Sequence, residues 1–195
     1  MTGADRRNQL LDIGRELFAQ KGFEATSIEE VAARADVSKP VVYEHFRGKE
    51  GLYAVVVDRE MQLLLGRFAV ALADPGSPRM LLERAALVLL DYIESDTDGF
   101  RVLTRDAPGT DGGSFSSLLG EVAGKVEHIL GRQFDARGYP PGLAALYSQA
   151  LVGMVALVGQ WWLENRSEGK EEVAAHLVNL AYNGLAHLDP HPALS

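Results

Sequence analysis

The chain has 195 residues, a formal net charge of −8, 47% hydrophobic residues and no cysteine. That length suffices for one domain or two small ones with a sizeable core, and without cysteine neither a disulfide framework nor a thiolate metal site can form. Strand-favouring residues are scattered and no period-two alternation persists, so an all-α chain is expected.

Met1 is followed by a polar, charged run without an apolar core. That is not the pattern of a secretory leader, and a cytoplasmic protein is the expectation. The first strongly patterned stretch is Thr26 to Leu52, TSIEEVAARADVSKPVVYEHFRGKEGL. Thr26 or Ser27 can cap a first short helix, with Glu29 or Glu30 three residues on to complete a capping box. Ile28, Val31 and Ala32 fall at helical spacing as its buried stripe, leaving Glu29, Glu30 and Arg34 to solvent. Ala35-Asp36-Val37 reads as a turn with Val37 pointing inward, and Ser38 as the cap of a second helix. Pro40 suits that helix's first turn, where a missing N–H breaks no intrahelical bond. Val42 and Phe46, four apart, face the core. The second helix is too short and too poor in apolar residues to exist for packing alone. Two short helices about a tight turn form a helix-turn-helix, whose second helix enters a DNA major groove.

VSKPVVYEHFRGKEGLY resembles the recognition segment of the TetR family of one-component repressors, and GRELFAQKGFEATSIEEVA resembles the segment before it. The resemblance runs from about Arg6 to Tyr53. It implies a three-helix, N-terminal DNA-binding domain joined to a larger helical domain that dimerises and binds a small-molecule effector. By resemblance, Lys39, Pro40, Val41 and Tyr43 belong to the groove-facing helix. Tyr43, His45 and Lys49 match positions that hold phosphates, as do Thr26 and Ser27 at the preceding helix start. Many relatives carry Gly or Ala and then Thr where this chain has Pro40 and Val41, which exchanges a possible base-edge hydrogen bond for apolar contact. Glu44 stands where a basic or neutral residue is frequent.

The acidity lies mostly elsewhere. Residues 1–53 hold eight Lys/Arg against nine Asp/Glu, so −7 of the −8 falls beyond them. The positive field of the N-terminal part must therefore come from placement of Arg6, Arg7, Lys39, Arg47 and Lys49, and a modest salt dependence is expected.

Further helices are expected at about 48–73, with Leu52, Val55, Val56, Leu63, Leu64 and Phe68 on the apolar side, and at 79–94, 100–106, 115–134, 141–165 and 170–188. Asp74-Pro75-Gly76-Ser77-Pro78 and SDTDG separate the early ones. APGTDGGS reads as a Gly-rich loop without the Lys-Ser/Thr ending of a phosphate-binding loop, and HPALS as a frayed tail. The domains expected are 1–53, 54–188 and a tail, 189–195.

Leu143 to Leu163 carries no charge. It is long enough to span a bilayer, but Ser148, Gln149 and Gln160 interrupt it and no basic cluster flanks it. Burial within one domain is a second reading. The preferred one is a homodimer seam formed with the last helix, with Gly153 or Gly159 allowing close approach. A dimer would space two reading helices about 34–36 Å apart over a palindromic DNA operator. The same helices are expected to enclose a mostly apolar effector, with Tyr92, Phe100, Phe115, His128, Tyr147, Met154 and Trp161 as lining residues, and His128 and Tyr147 as polar anchors. A helical protein-interaction module without an effector is the alternative for this domain.

Enzyme signatures are missing from the sequence. There is no H-E-x-x-H, no G-x-S-x-G, and no ligand pattern among the five histidines. Asp91, Glu94, Asp96 and Asp98 read as a solvated helix end rather than a cation site. No catalytic residue, metal or cofactor is assigned. The reading is a ligand-responsive transcriptional repressor.

Overall fold

The computed structural model describes residues 2–105, 114–189 and 192, and among these it has nine helices and no strand. They form two compact units: residues 1–63 with 96–115, and residues 64–95 with 116–195. The Gly-rich loop and most of the tail lie outside the described residues.

The first unit begins with α1 (Gly3–Ala25), opened by a capping box in which Thr2 accepts from the Asp5 N–H at 3.1 Å and donates its own N–H to the Asp5 carboxylate at 2.8 Å. Next come α2 (Ile28–Arg34), α3 (Lys39–Phe46) and the first part of α4 (Lys49–Ala71). Leu10, Leu17 and Phe18 of α1, Val31 of α2, Val42 and Phe46 of α3, and Leu52 and Val56 of α4 make the core. The i, i+4 pair on α3 is buried as its spacing predicts. Gly51 lets α4 start close against the end of α3. A Cβ there would lie 1.8 Å from the Phe46 carbonyl oxygen, so no other residue fits.

The helix expected at 100–106 is α6 (Thr97–Thr104), and it packs on α1. Tyr53 donates its hydroxyl to the Arg105 carbonyl at 3.3 Å, and the Arg105 guanidinium donates to the Phe18 carbonyl at 3.3 Å. The expected boundary at residue 53 is thus not where the packing divides. The reason is that α4 is one unbroken helix running past that point, and α6 packs with the N-terminal segment.

One expectation for α4 is corrected. Leu63, assigned to the apolar side, is 41% exposed, whereas Glu60 is buried. Glu60 is held by Arg15 at 3.6 Å and Arg59 at 3.5 Å, and Arg15 also reaches Asp96 at 3.6 Å. A buried carboxylate is tolerated when paired in this way.

The second unit comprises the end of α4, α5 (Pro78–Ser95), α7 (Ser114–Ala136, from residue 116 on), α8 (Leu143–Asn165) and α9 (Lys170–Ala186). Its core includes Leu89, Leu90, Tyr92, Ile93, Leu118, Trp162, Leu177 and Val178. Gly159 is accounted for within the chain, since a Cβ there would meet Ile93 Cδ1 at 2.9 Å and Leu89 Cδ2 at 3.1 Å. Gly153 has open space above it. Lys170 ties the start of α9 to α5 by reaching Asp91 at 2.9 Å and Glu94 at 2.6 Å. These two carboxylates, with Asp96 on Arg15 and Asp98 on Arg101, are therefore ion-paired. Among the described residues no His, Cys, Asp and Glu group could hold a metal.

One face of α8 is buried through Leu151, Val152, Ala156 and Trp162. By length and composition alone α8 could cross a membrane. Its other face, with α9, leaves Leu146, Leu157, Trp161 and Leu180 exposed, Leu157 and Leu180 each at 67%.

Candidate nucleic-acid interface

The α2–turn–α3 segment is assembled by local rules. Ser27 accepts from the Glu30 N–H at 3.2 Å and caps α2, but the reciprocal half of the expected capping box is not made. Glu30 instead takes Lys21 at 2.5 Å. The turn reverses at Asp36, which adopts φ +53°, a conformation short polar side chains tolerate best after glycine. Val37 is half-buried, and the fully buried turn residue is Ala35. Arg6 of α1 fastens the turn by donating to the Ala35 carbonyl at 3.1 Å.

Ser38 occupies the N-cap position of α3 without making the expected side-chain bond. The second residue, Pro40, has no N–H to offer, and the Val41 N–H is already directed to the Ser38 carbonyl at 3.0 Å. With Val42 and Phe46 buried, α3 turns Lys39, Pro40, Tyr43 and Glu44 outward, Tyr43 at 49% exposure, while Val41 and His45 are half-buried between the faces. A short helix with one face anchored and the other occupied by Lys, Pro and Tyr is shaped to enter a groove rather than to complete a core.

Thr26 is corrected. It is 2% exposed, its hydroxyl donates to the Gly22 carbonyl at 2.8 Å and its N–H to the Phe23 carbonyl at 3.3 Å. Both donors close the end of α1 behind the kink at Gly22 (φ +81°), so Ser27 alone of that pair faces outward.

The five cations expected to supply positive field are placed very differently. Arg6 binds Gln9 at 2.7 Å and the turn carbonyl, and the Arg7 guanidinium lies 5.1 Å over the Phe46 ring. Lys49 donates to the Phe23 carbonyl at 3.0 Å and lies 4.3 Å above the Phe23 ring. Lys39 is ion-paired with Glu29, which raises the lysine pKa and lowers that of the carboxylate through their shared hydrogen bond. Arg47, exposed and in the left-handed conformation (φ 60°), has no ionic or hydrogen-bonding side-chain partner among the described residues.

In the second unit, α5, α7 and α8 line a small, partly open and almost wholly apolar cavity, bordered among others by Phe68, Leu82, Leu89, Leu118, Val122 and Val152. A neighbouring, likewise partly open cavity shares Leu82, Ala85, Val126 and Leu151 with it. None of the seven expected lining residues borders either cavity. Tyr147 and Met154 line a separate, open cleft between α8 and α9. Tyr92 is fully buried beneath the Arg67 guanidinium, 5.1 Å from its ring, and His128 and Trp161 are exposed. Phe100 and Phe115 stack edge to face, centroids 5.7 Å apart, in the first unit. Six of the seven expected residues carry rings, whereas the walls, Phe68 apart, are aliphatic. The signal for the walls was the facing Leu, Val and Ala stripes of three helices, which in sequence are indistinguishable from ordinary core.

Residues 10–56 match the family described as "Bacterial regulatory proteins, tetR family", and residues 67–193 match "Tetracyclin repressor-like, C-terminal domain". The HTH-type transcriptional activator FasR of Mycolicibacterium smegmatis is 32% identical over 189 residues, covering 94% of this chain and 84% of FasR. The HTH-type transcriptional repressor KstR2 of Rhodococcus jostii is 33% identical over 87 residues, 45% of this chain and 42% of KstR2. The crystal structure of a TetR-like transcriptional regulator from Rhodococcus sp. RHA1 aligns with a TM-score of 0.79 and 30% identity, over 95% of this chain and 98% of that one.

Proposed function

We propose a function from one premise: the chain belongs to the tetR family of bacterial regulatory proteins and is a DNA-binding transcriptional regulator. Regulators of this family bind DNA as dimers and respond to small-molecule ligands. In our reading this chain binds a palindromic operator as a homodimer joined through α8 and α9. The support is the row of exposed apolar side chains, Leu146, Leu157, Trp161 and Leu180, which water alone covers poorly. Lys39, Pro40 and Val41 bear on sequence choice, while Ser27, Tyr43, His45 and Lys49 position the phosphates.

The observation that carries the effector half is the apolar cavity in the second unit. Its walls offer no polar partner, so the effector is an apolar small molecule. It releases DNA only to the extent that it binds the released state more tightly. Repression by occupying the operator is the sign we assign. FasR, named an activator, favours the opposite sign as a second reading.

The test is fluorescence anisotropy on an operator duplex, titrated with a panel of apolar compounds. Compounds that stabilise the protein against heat are expected to weaken operator binding. Stabilisation with no change in DNA affinity would refute the effector role.

A further inference from the structure

The salt bridge between Glu29 and Lys39 ties the groove-facing helix to α2 by charge. Glu29 is the second residue of α2, and Lys39 is the first of α3. Their side chains touch while remaining well exposed, so the pair contributes little to folding. Its effect falls on what Lys39 offers to DNA. A lysine with a carboxylate on its ammonium presents no net charge to a phosphate. If it leaves that carboxylate for a phosphate, Glu29 is left bare beside the polyanion.

We propose that Glu29 is a specificity-determining residue that opposes sequence-independent binding. It holds Lys39 away from phosphates and releases it where a base edge, such as the O6 and N7 acceptors of guanine, supplies a better partner. Affinity for arbitrary DNA is dominated by lysine and arginine on phosphates. Cancelling one of few such charges therefore lowers the background more than the specific complex. The crowding of acid around this surface fits the same end. Glu30 occupies Lys21, Glu16 reaches Arg34 at 3.2 Å, and Glu44 projects from α3 itself.

The inference rests on the DNA-reading assignment above, and its test separates the two. Dissociation constants are measured over a salt series for a duplex recovered by selection with the wild-type protein, and for a scrambled duplex of equal length. The proteins are wild type, E29Q, K39M and the double variant. E29Q is expected to tighten the scrambled duplex roughly tenfold for the dimer, as a repelling charge is lost at short range. It should also steepen the salt slope by about 0.9 per subunit as Lys39 becomes a phosphate contact. The recovered duplex should change much less, so the specificity ratio falls, and in the K39M background E29Q should leave that ratio unchanged. If E29Q shifts both duplexes by the same factor, or lowers the ratio equally without Lys39, Glu29 does not act through Lys39 and the proposal fails. If the wild type binds both duplexes alike, the DNA-reading assignment fails first.

Discussion

Lys49 closes the end of α1 over Phe23. Its ammonium donates to the Phe23 carbonyl at 3.0 Å and to that of Glu24 at 3.4 Å, and lies 4.3 Å above the Phe23 ring. A cation at a helix C-terminus answers both the orphan carbonyls and the dipole. The same residue is the first of α4, so it also fixes where α4 begins against α1. Replacing it should therefore have two consequences.

Lys49→Ala is expected to weaken binding to every duplex by a common factor and to shallow the salt slope by about 0.9 per subunit. Loss of the cation–π and helix-end contacts should also lower stability by about 1 kcal/mol. Anisotropy on several duplexes, with denaturant melts, measures both. A change in base preference would mean that Lys49 reads sequence.

Val41 substitutions should do the reverse. Val41→Thr restores a hydroxyl at the groove-facing helix and is expected to re-rank operators at one base pair by about 1–3 kcal/mol, with the salt slope unchanged. Competition binding against single-base variants of the operator decides it. A uniform shift across all variants would remove Val41 from sequence reading.

Gly51→Ala should unfold the first unit or come close to it. The added Cβ would sit 1.8 Å from the Phe46 carbonyl oxygen, and backbone cannot yield as a flexible side chain does. Overpacking of this kind costs about 3 kcal/mol or more. A denaturation midpoint within experimental error of wild type would show that α3 and α4 are not so close.

Ala85 borders both apolar cavities and is half-buried. Ala85→Phe is expected to fill the space they share, abolish thermal stabilisation by apolar compounds and leave operator affinity within about twofold. Retained stabilisation would place the effector elsewhere.

Lys170 has its pKa raised, first by its hydrogen bond to Asp91 and then by that to Glu94. A raised pKa means that the stabilisation is complete below the unfolded value of 10.5 and fades only as pH rises through the higher folded value. The stability difference between wild type and Lys170→Met should therefore be flat from about pH 6 to 9. A difference that vanished within that window would show another group to be titrating.

The helix-turn-helix was legible because its signals are local. Val42 and Phe46 lie four apart in a helix too short to bury anything else, and Ser27 and Asp36 are residues suited to a cap and a turn. What escaped depends on partners distant in sequence. Glu60 looks like a solvent residue until Arg15, forty-five positions earlier, is brought beside it. Thr26 resembles a helix start but serves the end of the helix before it. Gly159 reads as a dimer contact until Leu89 and Ile93 of α5 are seen against it. The cavity was hidden for a related reason. Apart from Phe68 its walls are leucine, valine and alanine, and only the spacing of the helices distinguishes a lined space from a filled one.

The most direct measurement is selection of bound sites from genomic fragments with the purified protein, read together with its mass in solution. A dimer that enriches a palindrome, its half-sites centred one helical turn or a multiple of it apart, is the expected result. A monomer that enriches nothing, even at low ionic strength, would contradict the assignment of α3 as a DNA-reading helix.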